Sequence, residues 1–524
     1  MNGGEKMEKR FNTTGACFPD QHYMVDITER LVAIKKMIDR GDYFVINRGR
    51  QYGKTTTLNA LETFLTPDYL VISMDFQLLS NSDFSTEERF VSAFAREMYR
   101  NELVRKAVGS DIADTLKKIK SGKELVLADL FDVFCDICIE AEKPVVLLID
   151  EIDTASNNAV FIDFLSMLRG YYLRRNKITI FKSVILAGVR DIRNLKQKIR
   201  DDSDHQHNSP WNIAVDFNVN MSLTVEGIAG MLSDYESDHK TGMEIKTIAQ
   251  LIYDYTSGYP VLVSSICKVI DEEIGEWTEN GVLKAINIVQ NANSPLFDSL
   301  INKLEDYPAL KKDVIKILTN GDRIPYTAEN ESIRMLLLFG FVRIEQNSVV
   351  IANRIFETKL YNWILTSEEM RDTSFFKAGT FDKPEFVKDG VLDVELILTR
   401  FIAHFHEIYG DKPEKFIEED GRKCFLIYLR PIINGIGNYY VEAQTRDNRR
   451  MDIVIDYLGK RYIIELKIWH GQKYNEDGEK QLSDYLDSYG LKTGYLLTFC
   501  FNDSKKSGVK IVQFKDKALI EAIV

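Results

Sequence analysis

The stretch Arg48 to Thr57, RGRQYGKTTT, constrains the fold more than any other part of the chain. The short apolar run DYFVINRGR leads into it, and TTTLNALETFL follows with the 3.6-residue apolar spacing of a helix. The stretch approximates G-x-x-x-x-G-K-[ST], the pattern of a loop that cradles phosphate groups between a strand and the N-terminus of a helix. We therefore expect an α/β domain with a parallel sheet, in which this loop follows the first strand.

The loop departs from the pattern at its first position, where Arg48 replaces the glycine and Gly49 follows one residue late. Gly49 is expected to take the unusual backbone angles of the turn, and Gly53 to permit close approach of a phosphate. Lys54 would reach the terminal phosphates, and the Thr55 hydroxyl would bind Mg²⁺. The Arg48 side chain has two interpretations: added charge near the phosphates, or a structural salt bridge with another strand end.

A second segment, KPVVLLIDEID, predicts a buried parallel strand that ends on Asp150 and Glu151. Asp150 suits the Mg²⁺ shell through a bridging water, and Glu151 suits a base that orients the attacking water. An acidic pair at a strand end is common by itself, but its position after a GKT loop favours a nucleotide-binding site.

Further apolar runs complete the predicted sheet. LVISMDF supplies a second strand, FKSVILAGV a fourth, and NIAVDFNV a candidate fifth strand. Helical crossovers between them predict a doubly wound parallel sheet. Arg190 follows the fourth strand, in a position to contact the terminal phosphate, with Arg193 as the competing candidate and a solvated arginine as the alternative.

With these motifs, roughly Phe11 to Ile270 resembles the AAA-like ATPases of the additional-strand P-loop class, particularly bacterial proteins with FNTTG near the start and RGRQYGKTTT as the loop. The resemblance implies ATP as ligand. TSGYPVLVSSICKVI resembles the Gly-x-Pro segment of signal-transducing and origin-recognition-like ATPases, with Gly258 and Pro260 at the start of a helical lid. Pro260 also suits the first turn of an ordinary helix.

Composition limits the other classes of function. The chain has 524 residues, 45% of them apolar, and a formal net charge of -12, so a nucleic-acid site must be a local basic patch. No apolar run is long enough for a signal peptide or a membrane span, which predicts a cytoplasmic protein without a membrane partner. Six cysteines fit a reducing compartment, and Cys135 and Cys138 are expected to lie partly buried on a helix.

The sequence divides into five predicted parts. They are an ATPase domain (1–222), a helical lid (223–300), a winged-helix-like domain (301–368), a linker (369–391) and a C-terminal domain (392–524). The winged-helix-like part reads as helix, helix, two short strands and helix. Its second helix, ENESIRMLLLFG, carries one arginine, so packing against other domains is favoured over DNA binding.

The C-terminal part contains Asp452, at the start of one predicted strand, and Glu465 and Lys467 on the next. Residues two apart on a strand share a face, and a hairpin turn at Gly459 can bring Asp452 alongside them. Two carboxylates and the Leu466 carbonyl offer hard oxygen ligands for Mg²⁺, and a neighbouring lysine can orient water or stabilise phosphate charge. Charged residues inside the apolar run IIELKIW are costly unless they are paired or bound to metal.

Roughly Leu392 to Val524 resembles the PD-(D/E)XK nucleases, an α/β fold, with Asp452, Glu465 and Lys467 on the family motif and Met451 in place of its usual proline. Mg²⁺, with Mn²⁺ as a substitute, is the metal that this resemblance implies. KQLSDYLDSYG resembles the Q-x-x-x-Y helix of several subfamilies, and TGYLLTF would be the closing strand. The remaining residues that this resemblance implies are Gln481 and Tyr485 at the substrate groove, and Glu395, Glu442 or Gln444 as further ligands.

The chain as a whole resembles bacterial fusions of an AAA-like ATPase with a PD-(D/E)XK nuclease. We therefore predict an ATP-binding protein, an ATPase, coupled to Mg²⁺-dependent cleavage of nucleic acid, with DNA as the favoured substrate. The alternative is an ATP-controlled scaffold or signalling switch whose C-terminal domain only binds nucleic acid or protein. Both are compatible with a homo-oligomer.

Overall fold

The structure is a computed structural model of the 524-residue chain. It describes residues 8–107, 109–119, 125–189, 211–319, 324–327, 329–345, 347–365, 373–388, 390–409, 418–433, 437–441, 453–458, 460–468, 479–480, 482–487, 489–500 and 506–524. Two compact units are present. Unit 1 comprises residues 1–249, 258–268 and 338–340, and unit 2 comprises residues 250–257, 269–337 and 341–524.

Helices predominate in the middle of the chain, and strands predominate near its C-terminus. The helices are α1 Thr28–Arg40, α2 Lys54–Leu65, α3 Glu87–Arg100, α4 Glu102–Ala107, α5 Ser110–Ile119, α6 Leu127–Glu140, α7 Ala159–Leu173, α8 Val225–His239, α9 Ile245–Thr256, α10 Pro260–Val269, α11 Glu279–Asn291, α12 Pro295–Asp306, α13 Pro308–Thr319, α14 Glu331–Phe339, α15 Arg354–Leu365, α16 Ser374–Asp382, α17 Val394–Tyr409 and α18 Glu418–Ile433. The strands are β1 Phe44–Asn47, β2 Leu70–Asp75, β3 Val145–Asp150, β4 Ser183–Gly188, β5 Ile324–Pro325, β6 Val342–Glu345, β7 Ser348–Ile351, β8 Val387–Lys388, β9 Val391–Leu392, β10 Gly437–Val441, β11 Ile453–Tyr457, β12 Lys460–Ile468, β13 Thr493–Phe499, β14 Gly508–Phe514 and β15 Lys517–Ile523.

Unit 1 is built on a four-stranded parallel sheet in the order β1-β4-β3-β2. Strand β3 is fully buried along its length because both faces of the sheet are covered by helices. One apolar core lies between the sheet and α1 and α2, and a second lies between its other face and α3, α6 and α7. The predicted doubly wound α/β fold is therefore confirmed for this unit.

The fifth strand predicted in unit 1 is reduced to a single parallel bridge, between Val215 and Phe44 of β1. The Val215 amide donates to the Tyr43 carbonyl oxygen at 2.8 Å. After Val215 the chain is in no named strand, although Phe217 and Val219 keep the alternation of a half-buried strand. The segment still flanks β1 on the side away from β4, where a fifth parallel strand would lie.

In unit 2 the winged-helix-like part contains α13, α14, the β6–β7 hairpin and α15, in the predicted order. Its sheet has three strands, β5-β7-β6. Arg343 on β6 donates to the carbonyl oxygens of Ile351 and Ala352 at 3.0 Å each. This arginine therefore holds its own hairpin together, and packing against other domains stays a prediction. The predicted domain bounds remain predictions.

The C-terminal part of unit 2 is a six-stranded mixed sheet in the order β10-β11-β12-β13-β15-β14. Helices α17 and α18 precede the sheet in the chain and contribute buried faces to its core. Strand β13 does not close the sheet, so this prediction is wrong. Strand β15 pairs in parallel with β13, and β14 pairs antiparallel with β15 at the edge. The apolar run ALIEAIV formed the additional inner strand because only a paired strand buries it.

Candidate functional site

The candidate phosphate-binding loop joins β1 to α2 through a turn that does not lie where the sequence placed it. Positive φ angles occur at Gln51 (56°) and Gly53 (79°), and not at Gly49. The predicted turn at Gly49 is therefore wrong. Gly49 lacks a side chain for a different reason: a Cβ atom there would lie 2.7 Å from the Phe339 carbonyl oxygen. Gly53 is in the left-handed region that favours glycine, immediately before the first residue of α2.

Lys54, the first residue of α2, has its side chain folded back into the loop. Its Nζ atom donates to the carbonyl oxygens of Arg48 and Gly49, at 3.1 and 3.2 Å. The side chain is only 7% exposed, and burial lowers the pKa of the amine, while the Glu151, Asp153 and Asp150 carboxylates act in the opposite direction. A cation held this way lies inside the curve of the loop, where a phosphate group would gain most from it.

Thr55 and Asp150 meet at the carboxyl end of β3. The Thr55 hydroxyl donates to Asp150 Oδ2 at 2.7 Å, and the Glu151 amide donates to Asp150 Oδ1 at 2.9 Å. Burial raises the pKa of Asp150, and the hydrogen bonds from Thr55 and Glu151 oppose this rise. A hydroxyl and a carboxylate oxygen in contact are hard oxygen donors of the kind that Mg²⁺ prefers, so these residues fit that ion.

Glu151 follows Asp150 in an unusual backbone conformation, with φ 52°. This left-handed geometry is uncommon for a glutamate and turns the chain sharply at the end of β3. Burial raises the pKa of Glu151, and the neighbouring Asp150 charge raises it further. A carboxylate with a raised pKa beside the loop suits the predicted role of orienting and deprotonating water.

Asp153 also belongs to this site, although the sequence analysis did not single it out. Its Oδ2 atom accepts a hydrogen bond from the Val189 amide at 2.6 Å, which ties the turn after β3 to the end of β4. Gly188 makes this approach possible, because a Cβ atom there would lie 2.7 Å from the Ile152 side chain and 3.2 Å from Asp153. In the sequence, the only indication of a role for Asp153 is that it is the third acidic residue of the segment DEID.

The Arg48 side chain points away from the curve of the loop. Its Nη2 atom donates to the carbonyl oxygens of Phe217 and Val219 at 3.4 and 3.2 Å, and its Nη1 atom donates to Asn47 O at 2.8 Å. The guanidinium also lies over the Phe217 ring, 5.4 Å from its centroid. These contacts fit a structural role for Arg48 rather than added charge near the phosphates. Its partners are main-chain carbonyls and not the carboxylate of a salt bridge.

The Gly-x-Pro segment meets the loop from the other side. Helix α10 begins at Pro260, as predicted. The Tyr259 hydroxyl donates to the Arg50 carbonyl oxygen at 2.6 Å, and the Tyr259 and Tyr52 rings are in edge contact at 4.5 Å. Gly258 has φ 71°, and a Cβ atom there would overlap the Leu223 carbonyl oxygen. Arg190 and Arg193 lie outside the described residues.

A second candidate site lies on β12, where Glu465 and Lys467 share one sheet face, as predicted. Lys467 Nζ is 3.0 Å from Glu465 Oε1. The glutamate is fully buried and the lysine side chain is 15% exposed. Ile453, the residue after Asp452, pairs with Ile464, the residue before Glu465. Asp452 itself lies outside the described residues, as do Gln481, Glu442, Gln444 and Gly459.

Two further polar residues on this sheet were missed by sequence reasoning. Thr498 of β13 is opposite Lys467, and Glu521 of β15 is opposite Leu496, which is opposite Glu465. The Thr498 hydroxyl donates to Glu521 Oε1 at 3.4 Å, and Lys510 Nζ is 2.9 Å from Glu521 Oε2. Glu521 lies inside the apolar run LIEAIV, just as Glu465 lies inside IIELKIW, so the same sequence pattern could have identified it.

Two other predicted residues of this region, Tyr485 and Glu395, lie on helices. Tyr485 is buried in the helical stretch 482–487, and Glu395 lies in the first turn of α17. Within the described parts of the chain, no three His, Cys, Asp or Glu side chains are grouped closely enough to hold a metal ion. Cys135 and Cys138 lie half-buried on α6 as free thiols, as expected.

The loop, its buried lysine, the strand-end carboxylate and the parallel sheet together define an ATPase-like P-loop domain. A family model described as an AAA-like domain matches residues 20–362, more than half of the chain. The chain therefore belongs to the AAA-like domain family, and residues 363–524 lie beyond the match. No curated protein sequence matches the chain.

Solved structures similar to the chain include the following three proteins. The Walker-type ATPase of Pyrococcus abyssi has 13% identity and a TM-score of 0.48, covering 67% of this chain and 99% of its own. Aeropyrum pernix ORC1 in complex with DNA has 13% identity and a TM-score of 0.29, with coverages of 65% and 93%. The Thermotoga maritima RuvB branch-migration motor has 16% identity and a TM-score of 0.30, with coverages of 62% and 90%. Among the described residues, no helix is long and apolar enough to cross a membrane.

Proposed function

We propose that the chain binds and hydrolyses ATP at the P-loop of unit 1, and that ATP controls Mg²⁺-dependent cleavage of DNA on the six-stranded sheet of unit 2. The contact between Thr55 and Asp150 beside Lys54 supports the first part. The observation that carries the second is the Glu465–Lys467 pair, because a buried glutamate and a lysine two residues apart on an inner strand suit a metal site.

At the ATP site each residue has a distinct task. Lys54 exchanges its loop carbonyl partners for the terminal phosphate oxygens, and the loop amides bind the remaining phosphate charge. Thr55 and Asp150 would hold Mg²⁺, whose charge would offset that of the phosphates. Glu151 orients the attacking water and accepts its proton. Arg190 contacts the terminal phosphate.

At the second site Asp452 and Glu465 would hold Mg²⁺ or Mn²⁺, which would supply Lewis-acid activation of the phosphodiester and of water. Lys467 orients the nucleophilic water and stabilises charge on the reacting phosphate. Gln481 contacts the substrate strand. Because water attacks phosphorus directly, no covalent link between protein and product is expected.

The test is cleavage of linear, branched and single-stranded DNA and RNA by the wild type and Lys467→Ala, with Mg²⁺ or Mn²⁺, with and without ATP. Loss of a metal-dependent cut in Lys467→Ala supports the nuclease, provided that urea unfolding shows the variant to be folded. Lys467→Arg keeps a cation beside Glu465 and controls for lost charge. Lys54→Ala tests coupling, because it should abolish ATP binding and change cleavage together.

A second function is favoured by the same ion pair, since Lys467 and Glu465 already neutralise each other at 3.0 Å. In that case the chain is an ATP-controlled scaffold whose C-terminal part only binds nucleic acid or protein. ATP binding without a cut on any substrate, together with DNA-dependent assembly that survives Lys467→Ala, would identify the scaffold.

A further inference from the structure

A basic groove on unit 2 is not used by either proposed site. It has a volume of about 1200 Å³ and lies between α11 and the strand ends around the β11–β12 turn. The cations in its lining are Lys284 from α11, Lys460 and Arg461 from the start of β12, and Lys492 before β13. Among the described residues of this lining, Asp456 is the carboxylate. A chain with a net charge of -12 thus carries a local excess of positive charge here.

Three of these four cations, the lysines, can still contact an added anion. Arg461 is already neutralised by Asp456, because its Nε atom donates to Asp456 Oδ1 at 2.9 Å. Lys284 lies 3.5 Å from Glu276, with both side chains more than half exposed, and Lys492 pairs with the exposed Asp516. Such exposed pairs contribute little and exchange readily for another anion. Lys460 makes no ion pair with any residue in the described ranges.

The groove lies at the strand ends, where Tyr462 is on the opposite sheet face from Glu465 and Lys467, and Arg461 is on their face. Side chains alternate along β12, so Tyr462 points to the other face from Glu465. Tyr495 is opposite Ile464 and therefore shares the face of Tyr462, and the two rings are 6.5 Å apart. Both tyrosines line the groove. Glu465 and Lys467 are not among the described residues that line the groove.

We propose that this groove binds the phosphodiester backbone of a single nucleic-acid strand. The lysines supply phosphate contacts, and Tyr462, with Leu283 and Leu458 nearby, supplies a less polar surface against which bases pack. The groove exceeds the roughly 300–1000 Å³ of small-molecule pockets, which favours an extended strand over a mononucleotide. The proposal rests on the proposed function in so far as nucleic acid is the ligand, but it does not need cleavage.

The test is binding of a fluorescein-labelled 20-nucleotide oligothymidylate, measured by anisotropy at several salt concentrations with EDTA. The variant is Lys284→Ala/Lys460→Ala/Lys492→Ala. Its matched control is Lys312→Ala/Lys423→Ala/Lys506→Ala, which removes three exposed lysines of the same unit that lie outside the groove. We expect the groove variant to bind about tenfold or more weakly, with a salt slope smaller by about 2, because single strands release roughly 0.7 ions per phosphate contact.

Equal binding by the groove variant and the control would overturn the proposal, and so would displacement of the oligonucleotide by thymidine monophosphate at similar concentrations. The outcomes also separate the two proposals. If the wild type cuts no substrate but its binding depends on the three groove lysines, the groove proposal is supported and the nuclease proposal is refuted. If cutting depends on metal and on Lys467 while the groove variant binds as the wild type does, the nuclease proposal is supported and the groove proposal is refuted.

Discussion

The Arg48 guanidinium donates a 3.2 Å hydrogen bond to the carbonyl oxygen of Val219, so the residue that replaces the first loop glycine fastens the loop to the neighbouring segment. Arg48→Gly restores the phosphate-loop pattern, yet we expect it to lower the free energy of unfolding by about 1–3 kcal/mol, because it removes hydrogen bonds from a charged donor. ATP affinity should change little, since the side chain points away from the loop interior.

Urea unfolding and calorimetric titration with ATP check this prediction. Arg48→Lys retains one cation with fewer donors, so its stability should fall between those of the wild type and Arg48→Gly. A large loss of ATP affinity in Arg48→Gly at unchanged stability would mean that the guanidinium acts on the phosphates.

Gln51 gives the second prediction, because it has φ 56° in the middle of the loop. A residue with a Cβ atom in the left-handed region is strained by about 1 kcal/mol, and glycine is not. We expect Gln51→Gly to raise the free energy of unfolding by up to about 1 kcal/mol, reduced by the greater entropy of glycine in the unfolded chain. Gln51→Ala, which keeps the strain, is the control in the same urea titration. Equal stability of the two variants would show that the strain is absent in solution.

Asp150 gives a prediction about pH. Burial raises its pKa above the ordinary value of 3.8, so the folded state holds the proton more tightly than the unfolded state. The resulting stability is complete below the ordinary pKa and is lost as the pH rises through the raised pKa. Asp150→Asn does not titrate. Its stability relative to the wild type should therefore increase as the pH rises from about 4 to 8, by the order of 1 kcal/mol.

The measurement is the urea midpoint at a series of pH values, without nucleotide and with EDTA. Asp132→Asn, which changes an exposed carboxylate on α6, controls for the removal of one carboxylate as such. A pH-independent difference between Asp150→Asn and the wild type would mean that the Asp150 carboxylate is not destabilised by burial.

How far the sequence could predict the molecule depends on the range of the forces involved. The β1–loop–α2 unit, β3 with its terminal Asp150 and the start of α10 at Pro260 follow from local patterns, and the structure has all of them. The turn at Gly49 was wrong because Gly49 is required by a contact with Phe339, 290 residues away, and no local pattern records such a contact. The partners of Arg48 and the inner position of β15 are likewise set by tertiary pairing.

The Glu465–Lys467 pair allows the last prediction, which separates a structural role from a chemical one. Lys467→Met removes the cation that lies 3.0 Å from the fully buried Glu465 carboxylate, and we expect a loss of about 3–5 kcal/mol in the free energy of unfolding. Glu465→Gln should cost less, because the amide is neutral. In the double variant Glu465→Gln/Lys467→Met no unpaired charge remains, so it should be more stable than Lys467→Met alone.

Urea unfolding of the four proteins closes this double-mutant cycle. Additive losses would show that the two side chains do not interact in solution, which contradicts the 3.0 Å contact. The double variant also serves the cleavage test, because a folded protein that has lost both groups and still cuts DNA would place the chemistry elsewhere. A stable double variant without cleavage assigns these two residues to the reaction rather than to the fold.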